Sequence, residues 1–239
     1  MILFMKYDYL IFDIDDTVLD FFSAFSEGQK NVAARLGITV TDEYRKIDEE
    51  TGWKAWRQMR LDDTEDLAVQ ENYHEYYREY LRLHYEYLSE KLGISADPSV
   101  LSDIYLESVS SSAVPMEECT ADILRALSFR YKIVFATNGL TSVQTRRTAS
   151  FVPFLFRLFI SEEMKAIKPT DAYYAYILND LGCRPSRCLM IGDSLTNDII
   201  GAKRAGMDVC FYDPRNKGIG TDIRCDLHIS SISELKTIC

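Results

Sequence analysis

From Thr120 to its end the chain alternates short apolar runs with helix-patterned stretches, and that rhythm restricts the fold more than any other feature. The apolar runs are Lys132–Ala136 (KIVFA), Leu158–Ile160, Cys188–Ile191 (CLMI), Val209–Tyr212 and Leu227–Ile229. Helices are expected over Thr120–Ser128, Thr141–Ser150, Asp171–Leu181, Thr196–Ala205 and Ile232–Ile238. Strands separated by single helices can pair side by side only in parallel, with right-handed crossovers, so the spacing predicts an α/β fold around a doubly wound parallel sheet. One earlier run belongs to the same sheet. In Tyr9–Thr17 (YLIFDIDDT) four apolar residues lead into three carboxylates and a hydroxyl, which reads as a buried strand delivering Asp13 and Asp15 at its carboxyl end. The opening stretch MILFMKYDYLIF is interrupted by Lys6 and Asp8 and shows no small-residue cleavage site, so it reads as strand and not as a signal peptide.

Between these two parts the character changes. From about Asp20 the β-branched clusters give way to long helical patterns with aromatic stripes, which predicts a core of residues 1–19 and 113–239 and an all-helical insertion over 20–112. Within the insertion, one helix runs over Phe25–Leu36 to Gly37. A second is capped by Thr41 and broken at Gly52, with Trp53 and Trp56 on the turn that follows. The longest opens at Thr64 and stops at Gly93, and a last one starts at Pro98. The tyrosine stripe of the long helix, from Tyr73 to Tyr87, reads as packing between helices.

Charge narrows the range of partners. A formal net charge of −10 argues against a surface that neutralises nucleic-acid phosphates or anionic lipid, so neither nucleic acid nor membrane is an expected partner. No apolar run approaches the length of a membrane span. The six cysteines form no CxxC pair, which suggests neither a zinc site nor a disulfide framework and fits a reducing cytoplasm.

In a parallel sheet the carboxyl ends of the strands share one edge, where ligands of such folds bind. That edge should therefore gather Asp13 and Asp15, Thr137 and Asn138, Lys168, and the segment Asp193–Asp198. Carboxylates held so close repel unless a cation or a proton lies between them. A carboxylate nucleophile, a second carboxylic acid, a hydroxyl beside backbone amides, one lysine and two further carboxylates are the parts that a magnesium-assisted phosphoryl transfer needs.

These residues resemble the four motifs of the haloacid dehalogenase-like superfamily: DIDDT the first, FATNG the second, Lys168-Pro169 the third and GDSLTND the fourth. The helical insertion after the first motif resembles the C1 cap of subfamily I. The resemblance implies Asp13 as nucleophile, Asp15 as general acid/base, and Thr137, Asn138 and Lys168 as phosphate binders, with Lys165 a weaker substitute for Lys168. It implies a magnesium site among Asp13, Asp15, Asp193 and Asp198, the last acting directly or through water. The TNG tripeptide, the Ser161-Glu162-Glu163 segment and Asp16 further resemble the pyrimidine 5′-nucleotidase branch. Met164-Lys165 and Pro115-Met116-Glu117 depart from its usual residues. The expected activity is hydrolysis of a small phosphate monoester, a nucleoside 5′-monophosphate first. The alternatives are phosphoglycolate or sugar phosphates, a phosphomutase, a 2-haloacid dehalogenase, which generally lacks an acid where Asp15 stands, and a non-catalytic interaction protein.

Overall fold

The computed structural model describes residues 6–216, 218 and 224–238. Met1 to Met5, part of the opening stretch read as strand, lie outside the described residues. The chain divides into two compact units: residues 1–21 with 114–239, and residues 22–113.

The first unit is built on six strands, β1 (Tyr9–Phe12), β2 (Lys132–Thr137), β3 (Leu155–Ile160), β4 (Cys188–Gly192), β5 (Asp208–Tyr212) and β6 (Leu227–Ile229). They form one parallel sheet in the order β3-β2-β1-β4-β5-β6. β1 is central and fully buried, with alternate side chains feeding two separate cores: Leu10 and Phe12 on one face, Tyr9 and Ile11 on the other. Register then fixes the site. Phe12 pairs with both Phe135 and Ile191, so Asp13, Thr137 and Asp193 all lie just beyond one edge.

The second unit holds helices α1 (Phe21–Arg35), α2 (Asp42–Gln58), α3 (Leu67–Leu92) and α4 (Pro98–Ser111), α1 starting one residue before it. The oxygens of Thr41, Asp66 and Asp97 cap α2, α3 and α4 by accepting from backbone N–H groups, so the long helix opens at Asp66 and not at Thr64. Gly28 lets α1 and α4 meet, because a methyl there would lie 2.6 Å from the Tyr105 ring. Gly52 does not break α2, which continues through it with Trp53 and Trp56 on the helix. A lone glycine costs a helix about 1 kcal/mol, and tertiary packing overrides that.

The sheet unit continues with α5 (Thr120–Ser128), α6 (Thr141–Arg147), α7 (Ser161–Met164) and α8 (Asp171–Leu181). The expected helix over Thr196–Ala205 is instead a π-helical turn, Leu195–Ile200, leading into Gly201–Arg204. Among the described residues, no helix is long and apolar enough to cross a membrane.

Candidate active site

Asp13 follows the last residue of β1 and is buried, its backbone N–H donating to the Ile191 carbonyl at 2.9 Å. Lys168 arrives from the loop before α8 and is also buried. Its Nζ donates to Asp13 Oδ1 at 2.5 Å, to Asp198 Oδ1 at 2.7 Å and to the Ala136 carbonyl at 3.2 Å. Lys165 is exposed.

Asp198 is fully buried inside the π-helical turn, with Oδ2 accepting from the Ser194 N–H at 3.1 Å. The glycine at the end of β4 makes room for it, since a methyl on Gly192 would fall 2.3 Å from Asp198 Oδ2. Asp193 is half-buried, and its N–H donates to Thr17 Oγ1 at 3.1 Å. One carboxylate oxygen from each of Asp13, Asp193 and Asp198 lies within 4.8 Å of the others. Three carboxylates therefore face a single ammonium.

The electrostatics follow from that imbalance. Burial, then Asp198, Asp193 and Asp15, hold the Asp13 carboxyl well above the usual carboxylate range, and Lys168 opposes them. Burial and the charges of Asp198 and Asp16 push Asp193 up to about 7. For Lys168, burial alone would favour the neutral amine, but Asp13 and Asp198 outweigh it and raise the ammonium well above its ordinary range. The surplus of buried negative charge and the all-oxygen donor set suit a hard divalent cation that keeps part of its water, as magnesium does.

The sequence reading grouped four carboxylates for the metal, and the structure groups three. Asp15 is drawn aside: Gln144 Nε2 donates to its Oδ2 at 2.8 Å, and the buried Arg147 guanidinium pairs with its Oδ1. Both partners lie on α6, and the sequence reading missed them. The signal available was a glutamine and an arginine three apart, one helical turn, in TSVQTRR one residue after TNG. Gly139 keeps the path clear, because a methyl there would fall 2.9 Å from Gln144 Nε2.

The second-motif residues divide. Thr137 is buried at the end of β2, its hydroxyl donating to the Asn138 carbonyl at 3.2 Å. The Asn138 carboxamide is committed to the lysine loop, donating to the Lys168 carbonyl at 3.0 Å and accepting from the Lys168 N–H at 2.8 Å. Its side chain thus positions the lysine loop. The Ser161-Glu162 segment holds the loop after β2 from the other side. Ser161 Oγ accepts from the Gly139 N–H at 3.0 Å, and Glu162 accepts from the Thr141 N–H at 2.7 Å.

The parallel α/β sheet thus carries at its carboxyl edge a buried carboxylate–lysine–carboxylate chain beside a third carboxylate. Residues 7–206 match the haloacid dehalogenase-like hydrolase family, and the chain belongs to it. It is 28% identical to the pyrimidine 5′-nucleotidase PynA of Streptococcus pneumoniae, covering 97% of this chain and 94% of that one. It is 24% identical to the pyrimidine 5′-nucleotidase YjjG of Escherichia coli, covering 98% of each. Among solved structures, the HAD-hydrolase YfnB of Bacillus subtilis, bound to magnesium, superposes with a TM-score of 0.82 at 25% identity, covering 98% of this chain and 99% of that one.

Proposed function

We propose that the protein is a magnesium-dependent phosphatase that hydrolyses a small phosphate monoester, a pyrimidine nucleoside 5′-monophosphate first, through an aspartyl phosphate on Asp13. The observation that carries the chemistry is Lys168 bridging Asp13 and Asp198 in a buried site. The nucleotide preference is supported by likeness to the two pyrimidine 5′-nucleotidases over nearly the whole chain. In this reading the helical unit serves as the cap that selects the substrate, and a cytoplasmic location fits a diffusible nucleotide.

Asp13 Oδ attacks phosphorus while the ester oxygen leaves, which divides one difficult displacement into two easier ones. Asp15 gives a proton to the departing alkoxide and takes one from the water that later cleaves the acyl phosphate. Gln144 and Arg147 hold that carboxyl in place. Lys168 neutralises charge on Asp13 and on the phosphoryl oxygens. Asp13, Asp193 and Asp198 would hold the metal, which when bound supplies charge stabilisation to the transferring phosphoryl group. Thr137 and the amides of its loop complete the phosphate site.

Two results are expected directly. EDTA removes activity and magnesium restores it, and full turnover in EDTA, or rescue by zinc alone, would contradict the metal assignment. Arg147→Met should slow UMP hydrolysis by about 10²-fold while leaving p-nitrophenyl phosphate much less affected, because a good leaving group needs little acid assistance. Equal losses on both substrates would assign Arg147 to the fold alone. The function itself is tested by comparing kcat/KM for UMP, dUMP and dTMP with phosphoglycolate and sugar phosphates. A preference of about tenfold for the latter group would discard the nucleotidase reading and leave the phosphatase chemistry standing.

A further inference from the structure

The helical unit contains a groove of about 900 Å³, within the range of small-molecule sites. Trp53, Trp56 and Tyr80 line it, together with three buried polar side chains that are joined to one another. Asp48 accepts from Gln29 Nε2 at 2.8 Å through one oxygen and lies 3.1 Å from His84 Nε2 through the other. A carboxylate offers about four acceptor positions, so this pair of partners fixes Asp48 and leaves it able to accept more.

Gly52 adds an independent observation. It lines the same groove in the interior of α2, with neither a left-handed backbone nor a close packing partner to require it. A methyl there would sit at ordinary contact distance, 3.6 Å from His84 and 3.7 Å from the Tyr80 hydroxyl. The contrast with Gly28, which Tyr105 compels, is plain. The helix gives up propensity at Gly52, and what it keeps is methyl-sized room against His84 and Tyr80, beside the polar network.

From aromatic walls, a fixed acceptor and space kept by a glycine, we propose that this groove binds a planar, hydrogen-bonding heteroaromatic ring of the nucleobase class. The aromatic side chains take its faces and Asp48 accepts from an N–H on its edge. The choice of a pyrimidine ring as probe rests on the nucleotidase reading. The ring could belong to the substrate or to a free nucleoside.

Both tryptophans of the chain line the groove, so intrinsic fluorescence reports on it. Uridine and UMP should each change tryptophan emission saturably, and ribose 5-phosphate should not. Gly52→Ala should raise the melting temperature by a few degrees yet weaken uridine binding about tenfold, a combination that a purely structural glycine would not give. Trp53→Ala, at a half-exposed position, should weaken uridine binding in equilibrium dialysis without unfolding the protein. If kcat/KM for UMP falls with uridine affinity in Gly52→Ala, the ring is the substrate's own base. If only uridine binding falls, the occupant is free nucleoside. Turnover of UMP with no uridine response, and with Gly52→Ala unchanged in affinity and kcat/KM, overturns the inference and spares the nucleotidase reading. Uridine binding by a protein that does not hydrolyse UMP does the reverse.

Discussion

Asp13→Asn is expected to lower kcat by about 10³-fold or more on every phosphate ester while the protein stays folded. The substitution keeps the side-chain volume and removes the nucleophilic oxygen. It also takes one negative charge from a site where three carboxylates face a single ammonium, and where burial already holds the Asp13 carboxyl well above its usual range. Lys168 keeps Asp198 and the Ala136 carbonyl as partners. Melting in EDTA should therefore occur at or above the wild-type temperature. A variant that is inactive because it has unfolded would contradict this, as would one that retains near wild-type turnover.

Lys168→Met should fail in both respects. Removing one partner of a buried ion pair leaves uncompensated charge and costs about 3–5 kcal/mol, and here two carboxylates lose the same ammonium. Catalysis should fall by about 10²–10³-fold, the usual loss when one preorganised charge is taken from a transition state. Magnesium should recover part of the stability, because it meets the same carboxylates, and little of the activity. The measurements are urea melts with and without magnesium, beside steady-state rates. A variant as stable as wild type in EDTA would mean that the ammonium does not hold the carboxylates together.

The architecture was legible because the apolar runs and the helices between them call for a parallel doubly wound sheet, and because most of the polar clusters stood directly after a strand. Asp13, Asp193 and Asp198 could be gathered on that ground, and Lys168 by the proline and helix start beside it. That the Asp15 carboxylate turns away from the other three was not legible, because sequence order says nothing about which way a carboxylate turns after a strand ends. The Arg147 and Gln144 that turn it lie some 130 residues away, on a helix whose residues carry no motif by themselves. The two bonds of the Asn138 side chain to the Lys168 peptide were hidden for a similar reason, since they depend on a loop approach that no local pattern encodes. Gly52 misled in the opposite sense. Propensity alone marks a glycine as a break, whereas packing along α2 carries the helix through it.

The covalent step at Asp13 is tested most directly by rapid mixing of the magnesium-loaded enzyme with UMP labelled at phosphorus, followed by an acid quench. Label should appear on the protein within one turnover, map to Asp13, disappear on a chase with unlabelled UMP and be absent from Asp13→Asn. Release of labelled phosphate without label ever reaching the protein, or label that persists in Asp13→Asn, would contradict an aspartyl phosphate at that residue.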